Sequence, residues 1–424
     1  MDLIHYSEIQ QIDEDYCNCS RDLLMKVYRN LGLSDEERKL LSNPKRTISV
    51  SFPVSLENGV VYVQGYRVQY NNARGPYKGG MIYHPDLTVT HLSELAYLMA
   101  LKCALANIPF GGSKGGLVIN PKEYSDRELE LITREYIREI YEFIGPFKDI
   151  PAPDVYTNER VMAWMLEEFE KLRKERCPAA ITGKPVSLGG IKLREYSTGL
   201  GGAIQLEEFY MANSMSLKGS KAIVIGFGNA GSWSARFLKE KGVDVVGVAD
   251  SKGGIWDEKG IDVWKLVKHK KETGTVRGFS GTKSIDLEEL ITRECDILVP
   301  AALSKQINSK NVRDIKAHII LEIGNAAIST EADDHLVRNG IHVIPDISAN
   351  AGGVIASYLE WRYGIRGSIP DEEKIRSEFY GIVRSMFHAM YKRSMKEQIP
   401  LRLAAHTVAV QRILEAERAR GNLS

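Results

Sequence analysis

At 424 residues the chain has room for two domains and substantial cores. Lysine and arginine total 56 against 55 aspartate and glutamate, so no charge bias points to nucleic acid or a membrane surface. No apolar run approaches the ~18 residues a spanning helix needs, and Met1 to His5 shows neither a basic leader nor an apolar signal segment. Five scattered cysteines, Cys17, Cys19, Cys103, Cys177 and Cys295, lack the second ligand pair of a zinc site, so no metal is expected. They read as small apolar residues of a reducing compartment, and a cytoplasmic enzyme is expected.

Residues 1 to about 40 read as helix, with Leu23, Leu24, Val27 and Leu31 spaced by three and four. Ile48, Val50, Phe52 and Val54 then alternate, Glu57-Asn58-Gly59 turns, and Val61, Val63, Tyr66, Val68 and Tyr70 alternate again. This predicts an antiparallel hairpin with one apolar face. A helix is expected after Pro85, carrying Leu92, Leu95, Leu98, Leu101, Cys103 and Leu105. Gly111 to Gly116 interrupts it, and Leu117-Val118-Ile119 reads as a short buried strand. Helices are predicted at Asp126 to Phe143 and Asn158 to Leu172, and the glycine-rich stretch Thr182 to Gly202 reads as the boundary of a second domain. Beyond 221 short apolar runs alternate with helical ones, including Asp296 to Val299, Ile319 to Leu321 and Ile341 to Ile344. That pattern indicates a parallel sheet covered by helices. The tail, Ile399 to Ala419, is an amphipathic helix.

The second domain opens with Ala222-Ile223-Val224-Ile225, then Gly226-Phe227-Gly228-Asn229-Ala230-Gly231, a helical run from Ser232 to Lys239, and a strand ending at Asp250. Strand, glycine turn, helix, strand and acidic residue in register make the Rossmann dinucleotide fingerprint. Gly226 permits the tight turn, Gly228 lets the backbone approach a pyrophosphate, and Gly231 lets the helix pack closely. The helix N-terminus faces the phosphate charge and Asp250 can hold ribose hydroxyls. Asp250 favours NAD, because a carboxylate repels a 2′-phosphate; Lys252, in Ser251-Lys252-Gly253, offers that phosphate a partner, so NADP or dual use stays open.

The first domain holds three lysines in unusual surroundings. Lys78 lies in Gly75-Pro76-Tyr77-Lys78-Gly79-Gly80 and Lys114 in Gly112-Ser113-Lys114-Gly115-Gly116, where the glycines imply close approach of a ligand. Lys102 falls on the apolar side of its helix with Leu95, Leu98 and Leu105. Asp154, in Pro151-Ala152-Pro153-Asp154, is a carboxylate in a stiff proline frame.

Six segments occur in order: Gly-Pro-Tyr-Lys-Gly-Gly (75–80), Pro-Phe-Gly-Gly-Ser-Lys-Gly-Gly (109–116), Pro-Ala-Pro-Asp (151–154), Thr-Gly-Lys-Pro (182–185), Ser-Thr-Gly-Leu-Gly (197–201) and Asn-Ala-Gly-Gly-Val (350–354). Together, from about residue 45 onward, they resemble the hexameric glutamate dehydrogenases of the amino-acid dehydrogenase superfamily. The resemblance implies that Lys114 is the catalytic lysine and Asp154 its proton-shuttling partner. It places Lys102 and Met99 near the substrate α-carboxylate, and Lys78 and Ser357 on the distal carboxylate. Thr182, Ala152 (beside Pro153), Asn350 and Val354 match the pocket wall, and Thr198, Asn229 and Asn325 match cofactor contacts, with Ser251 beside Asp250.

The charges agree with that. 2-Oxoglutarate carries two carboxylates for Lys78 and Lys102, leaving Lys114 free for acid–base chemistry. The expected reaction is reversible NAD(P)-dependent deamination of L-glutamate to 2-oxoglutarate and ammonium, in a cleft that closes to exclude water. Two departures from the family pattern stand out: Ile82 replaces a basic residue, so a surface or interface ion pair is expected to be missing, and Met99 replaces a commonly polar one. The rival readings are a dehydrogenase for an apolar amino acid, which would lack the polar Lys78 and Ser357, and a catalytically silent regulatory paralogue. The expected architecture is α/β in two domains: residues 1–190 for substrate and oligomerisation, rejoined by 396–424, and 191–395 for the dinucleotide. An exposed edge in the 48–70 hairpin points to a homo-oligomer, a homohexamer by resemblance.

Overall fold

The structure, a computed structural model, describes residues 23–302, 304–368 and 371–423. Residues 1–22, including Cys17 and Cys19, lie outside the described residues. Residues 23–31 are helical, and Asp35–Ser42 follows as a helix whose capping box joins Ser34 and Glu37. The chain divides into two units. Of the described residues, one contains 28–194, 354–379 and 409–423; the other contains 23–27, 195–353 and 380–408.

In the first unit the alternating residues form β1 (Arg46–Leu56) and β2 (Gly59–Asn71), paired antiparallel around the predicted turn. β3 (Tyr77–Tyr83), β4 (Gly112–Leu117) and β5 (Asp149–Pro153) complete a sheet of order β1-β2-β4-β3-β5. Its core gathers Phe52, Val54 and Val63 with Ile132, Tyr136 and Ile140 of the helix Asp126–Ile140, and Met162, Met165 and Phe169 of the helix Glu159–Arg173. At about 25 cal/mol per Å², burying such side chains is the main stabilising term.

The glycine run read as an interruption is itself the strand β4, and residues 118 and 119 fall outside it. The reason is crowding within the chain. A Cβ at Gly112 would land on Ala96 and Ala100 of the helix Val89–Leu105, one at Gly116 on the Ile82 carbonyl, and one at Gly79 on the Ser113 carbonyl. What approaches these glycines is neighbouring backbone, which corrects the expectation of a ligand there. Gly115 faces both backbone and a side chain: its Cβ would lie 2.6 Å from the Tyr66 carbonyl oxygen and 2.7 Å from Cδ of Arg67.

Arg67 is fully buried and lies across the sheet. From β2 its Nη1 donates to the carbonyls of Gly79 (3.3 Å) and Gly80 (3.2 Å) on β3, and its Nη2 to Ser113 Oγ on β4 (2.6 Å). Its Nε and Nη2 grip both carboxylate oxygens of Asp149 on β5, at 2.9 and 2.5 Å. Ser113 Oγ and Gln69 Nε2 donate to the same carboxylate.

The later segments of this unit are held by comparable contacts. Glu360 accepts the Gly183 amide (3.0 Å) and the buried Lys184 ammonium (2.7 Å), and Trp361 donates to the Pro146 carbonyl. Glu417 accepts Asn71 Nδ2 (2.7 Å) and pairs with Lys45 (2.7 Å), while Arg412 donates to the carbonyls of Ala104 and Leu105.

In the second unit β6 (Lys221–Ile225), β7 (Asp244–Asp250), β8 (Gly253–Trp256), β9 (Lys283–Ile285), β10 (Ile297–Pro300), β11 (Ile319–Leu321) and β12 (His342–Ile344) form a sheet of order β12-β11-β10-β6-β7-β8-β9. Pairings from β12 to β7 are parallel, as read. β7-β8 and β8-β9 are antiparallel, so the sheet is mixed. Only Ser251 and Lys252 separate β7 from β8, too short a link for a parallel crossover. The end of the glycine-rich 182–202 stretch is likewise helical, within Leu193–Ala212, because a Cβ at Gly199 would lie 2.5 Å from the Ser234 amide. Arg402 pairs with Glu322 (2.8 Å), Asp333 (2.9 Å) and Asp346 (3.5 Å), holding the start of the last helix here. The division thus departs from the boundaries read from sequence: 354–379 joins the first unit, and 396–408 the second. Cys103 and Cys295 are buried, and burial pushes both thiols up to about 12.

Gly79→Ala is expected to destabilise the protein by about 1–3 kcal/mol, since its methyl meets the Ser113 and Lys114 backbone of the neighbouring strand. An unchanged urea midpoint by circular dichroism would contradict this packing.

Candidate active site

The glycine turn lies in the second unit. β6 delivers the chain into Gly226, whose φ of +103° only glycine adopts readily, and the helix Asn229–Glu240 starts directly after. A Cβ at Gly231 would overlap the Gly226 carbonyl oxygen, so strand and helix are in contact there. Gly228 is different: it has an ordinary φ of −78°, and a Cβ built on it meets nothing within 4 Å. No side chain caps this helix end. An open glycine before an uncapped helix N-terminus fits a pyrophosphate.

Asn229 is exposed and donates through Nδ2 to the Glu195 carbonyl (2.9 Å); Ala230 and Thr198 are half-buried. Asn350 Nδ2 donates to Asn325 Oδ1 (2.9 Å), and Asn350 Oδ1 is buried with no hydrogen-bond partner. The structure therefore brings Asn325 and Asn350 together. Asp250 ends β7, with Ser251 exposed beside it. Its carboxylate already accepts four donors: the Lys252 amide (3.0 Å) and Thr275 hydroxyl (3.2 Å) on Oδ1, and the Val276 amide (2.8 Å) and Lys270 ammonium (3.2 Å) on Oδ2. Burial raises this carboxyl, but those donors outweigh it and hold it below the usual carboxylate range.

The lysines and Asp154 singled out from sequence lie in the first unit. Lys114 on β4 donates to Asp154 Oδ2 at 2.6 Å. Asp154 follows β5 directly; its Oδ1 accepts the Val155 amide (2.9 Å), and its own amide donates to Thr157 Oγ1 (2.7 Å). Thr157 Oγ1 in turn donates to the Met81 carbonyl on β3. A Cβ at Gly80 would sit on the Asp154 carboxylate, so this glycine makes room for the acid. Burial raises the Asp154 carboxyl; Lys114 first, then the Val155 amide and Lys102, bring it below its ordinary value. Lys102 and Met99 are half-buried on the helix Val89–Leu105.

Lys78 on β3 is buried, 1% exposed, and donates to the Ile150 carbonyl at 3.1 Å. Burial, then the charges of Arg194 and Arg67, push its ammonium down to about 7. Ser357, 1% exposed, and Val354 are buried on the helix Gly352–Arg366. Ala152 is buried and Pro153 half-buried at the end of β5, and the buried Thr182 donates its amide to the Pro151 carbonyl (3.0 Å). Ile82, where a basic residue was expected by resemblance and its ion pair expected to be missing, is buried within β3, 5% exposed. Among the described residues no group of three His, Cys, Asp or Glu could hold a metal, and no helix is long and apolar enough to cross a membrane.

Residues 44–171 match the family model described as Glu/Leu/Phe/Val dehydrogenase, dimerisation domain, and residues 189–421 the one described as Glutamate/Leucine/Phenylalanine/Valine dehydrogenase. The NAD-specific glutamate dehydrogenase of Staphylococcus aureus (strain COL) is 40% identical over 403 residues, covering 95% of this chain and 97% of the relative. The catabolic NAD-specific glutamate dehydrogenase RocG of Bacillus subtilis (strain 168) is 40% identical over 403 residues, 95% of each. The chain belongs to the Glu/Leu/Phe/Val dehydrogenase family. Its fold agrees: the hetero-hexameric glutamate dehydrogenase of Thermus thermophilus in its leucine-bound form superposes with a TM-score of 0.91 at 32% identity, over 96% of this chain and 98% of that one. The Peptoniphilus asaccharolyticus glutamate dehydrogenase gives 0.87 at 30%, over 96% and 100%.

Three residues that matter to this family member were not singled out from sequence. Arg67 reads as one position of an alternating strand; only its place opposite Gly115 shows why it is there. Arg194 follows the Thr-Gly-Lys-Pro segment with no motif of its own, yet its charge bears on both Lys78 and Asp154. Lys270 sits in the Lys268–Lys271 run of a surface helix, where a basic residue normally signals only solvation.

Gly228→Ala should leave the melting temperature unchanged and weaken dinucleotide binding about tenfold or more, because the methyl enters open space that the pyrophosphate needs. Unaltered affinity, measured by fluorescence titration, would place the cofactor elsewhere.

Proposed function

We propose that this chain catalyses the reversible NAD-dependent oxidative deamination of L-glutamate to 2-oxoglutarate and ammonium. The observation that carries the reading is the pairing of Lys114 with Asp154 at 2.6 Å in the unit that also buries Lys78 and Ser357. The names of the 40%-identical relatives support glutamate and NAD. When bound at the glycine turn, NAD takes up the substrate hydride and NADH returns it.

In the reductive direction, Lys78 and Ser357 take the distal carboxylate of 2-oxoglutarate and Lys102 the α-carboxylate. Lys114 donates a hydrogen bond to the 2-keto oxygen, which polarises the carbonyl. Asp154 accepts a proton from ammonium, freeing ammonia to attack the keto carbon. Lys114 then protonates the carbinolamine oxygen, which leaves as water and yields the imine. Thr182, Ala152, Pro153, Met99, Asn350 and Val354 shape the pocket, and Thr198, Asn229 and Asn325 contact the cofactor. Lys78 and Ser357 argue against an apolar side chain, because a pocket for one would strand both polar groups.

We further propose a homo-oligomer, in keeping with the homohexamer expected from sequence. β1 is an edge strand, Val60 and Tyr62 are exposed beside it, and the matched model is described as a dimerisation domain. The Thermus relative is described as hetero-hexameric. The cytoplasm suits the chain, whose described cysteines are all free.

NADH oxidation in the presence of 2-oxoglutarate and ammonium tests the reaction; its absence sinks the reading. The distal-carboxylate assignment has its own test. Free Lys78 loses its proton as pH rises through about 7, and a bound carboxylate favours the ammonium. Between that value and the ordinary lysine range, diacid binding must therefore take up a proton, and affinity must fall as pH rises. Calorimetry at about pH 8.5 should detect uptake of up to about one proton, absent in Lys78→Leu/Ser357→Val, which should also accept leucine or norvaline. Unchanged uptake and preference in the double variant would place the distal carboxylate elsewhere.

A further inference from the structure

The order of the second sheet, with β6 between β7 and β10, sets β10 and β11 on the side of the glycine turn away from Asp250. In a doubly wound sheet each half of a dinucleotide takes one side of that switch point, so the nicotinamide half falls to the loops after β10 and β11. These loops pack on the turn in series. A Cβ at Gly226 would lie 2.6 Å from Ala302 Cβ, and one at Gly324 would lie 2.8 Å from the Ala302 carbonyl oxygen. Asn325 is the next residue.

The loop after β11 is held in a costly shape. Ala326 has a φ of +46°, in the left-handed region that a residue with a Cβ seldom takes. Two buried carboxylates grip the backbone around it. Asp346 Oδ2 accepts the Ala326 amide (3.0 Å), and Glu322 Oε1 accepts the Ile328 amide (3.0 Å). Glu322 Oε2 also accepts the Asp346 amide (3.0 Å), and the Asp346 carbonyl accepts the Asn350 amide (3.1 Å). Asn350 Nδ2 then donates to the Ile323 carbonyl (3.2 Å) and to Asn325 Oδ1 (2.9 Å). The conformation of this loop and the placing of Asn325 thus trace to Glu322 and Asp346.

One guanidinium serves both acids. Arg402, 9% exposed at the start of the helix Leu401–Ala419, pairs with Glu322, Asp333 and Asp346. Without it, Glu322 and Asp346 lose the positive charge that matches them, and like charges in a buried place repel or take up protons. Either change alters the acceptors that hold the Ala326 and Ile328 amides.

We propose that Arg402 is a positioning residue for the cofactor: by matching the charge of Glu322 and Asp346 it fixes the 323–328 loop, and with it Asn325, at the nicotinamide half of the dinucleotide. Arg402 acts through these two carboxylates and does not itself touch the cofactor. The inference rests on the reading that a dinucleotide binds at the glycine turn with Asn325 among its contacts.

Calorimetric titration of the full-length protein with NADH, and with ADP-ribose, which lacks the nicotinamide, tests the role. Arg402→Met should weaken NADH by about tenfold or more and ADP-ribose by less than about threefold. Arg402→Lys keeps the charge but cannot span three carboxylates, so it should show the same split to a smaller degree. It carries the test if Arg402→Met does not fold. Ala326→Gly added to either variant should restore NADH binding by about threefold or more, because glycine takes the left-handed shape without the brace. Unchanged NADH affinity in the Arg402 variants, equal loss of both ligands, or no recovery with Ala326→Gly would overturn the positioning role and leave the dinucleotide reading standing. Binding of neither ligand by the wild type would overturn that reading, and the role with it.

Discussion

The side chain on which the first unit depends is Arg67. A buried guanidinium is tolerable only when its charge is matched and its donors are used, and Asp149 with the Gly79, Gly80 and Ser113 acceptors meets both demands. These contacts tie β2 to β3, β4 and β5, the three strands that carry or precede Lys78, Lys114 and Asp154. Removing one partner of such a pair typically costs about 3–5 kcal/mol, because the other charge is left buried alone. The brace also sets strand register next to the proposed site residues: Gly79 and Gly80 follow Lys78, and Ser113 precedes Lys114. On the proposed mechanism, Arg67 and Asp149 are positioning residues.

The glycines divide into two kinds on this frame. Gly79, Gly112, Gly115 and Gly116 let strands, a helix and the Arg67 stem approach one another. Gly80 makes room for the Asp154 carboxylate, and Gly228 leaves open space before a helix N-terminus. The first kind builds the frame and the second leaves room for function. Sequence alone does not separate them, since each is a glycine beside a chemically interesting neighbour.

Much of the fold was legible because its patterns are local. The hairpin alternation, the apolar repeat of Val89–Leu105 and the strand–glycine–helix succession at 221–240 follow from side-chain periodicity and turn chemistry. β4 reads from sequence as an interruption of the preceding helix because a strand of glycines has no alternation to see, and its stability comes from what packs against it. The antiparallel β8 (Gly-Gly-Ile-Trp) and β9 (Lys-Ser-Ile) were missed because neither is an apolar run, unlike the equally short β10, β11 and β12. Within the site, Lys114 and Asp154 were legible from unusual local surroundings and from resemblance. Their 40-residue separation in sequence hid only the distance between them. Arg67, Arg194 and Lys270 were not legible, because their significance lies in partners far along the chain.

The central claim is that this frame makes Lys114 and Asp154 one proton-handling unit. A double-mutant cycle on turnover tests it most directly, using Lys114→Ala, Asp154→Asn and the pair together, with circular dichroism confirming an unchanged fold. If the two groups act as one, each single change lowers kcat by about 10²–10⁴-fold and the double variant falls little further. If the losses instead multiply, so that the double variant falls by the product of the singles, the two residues act independently and the account is wrong.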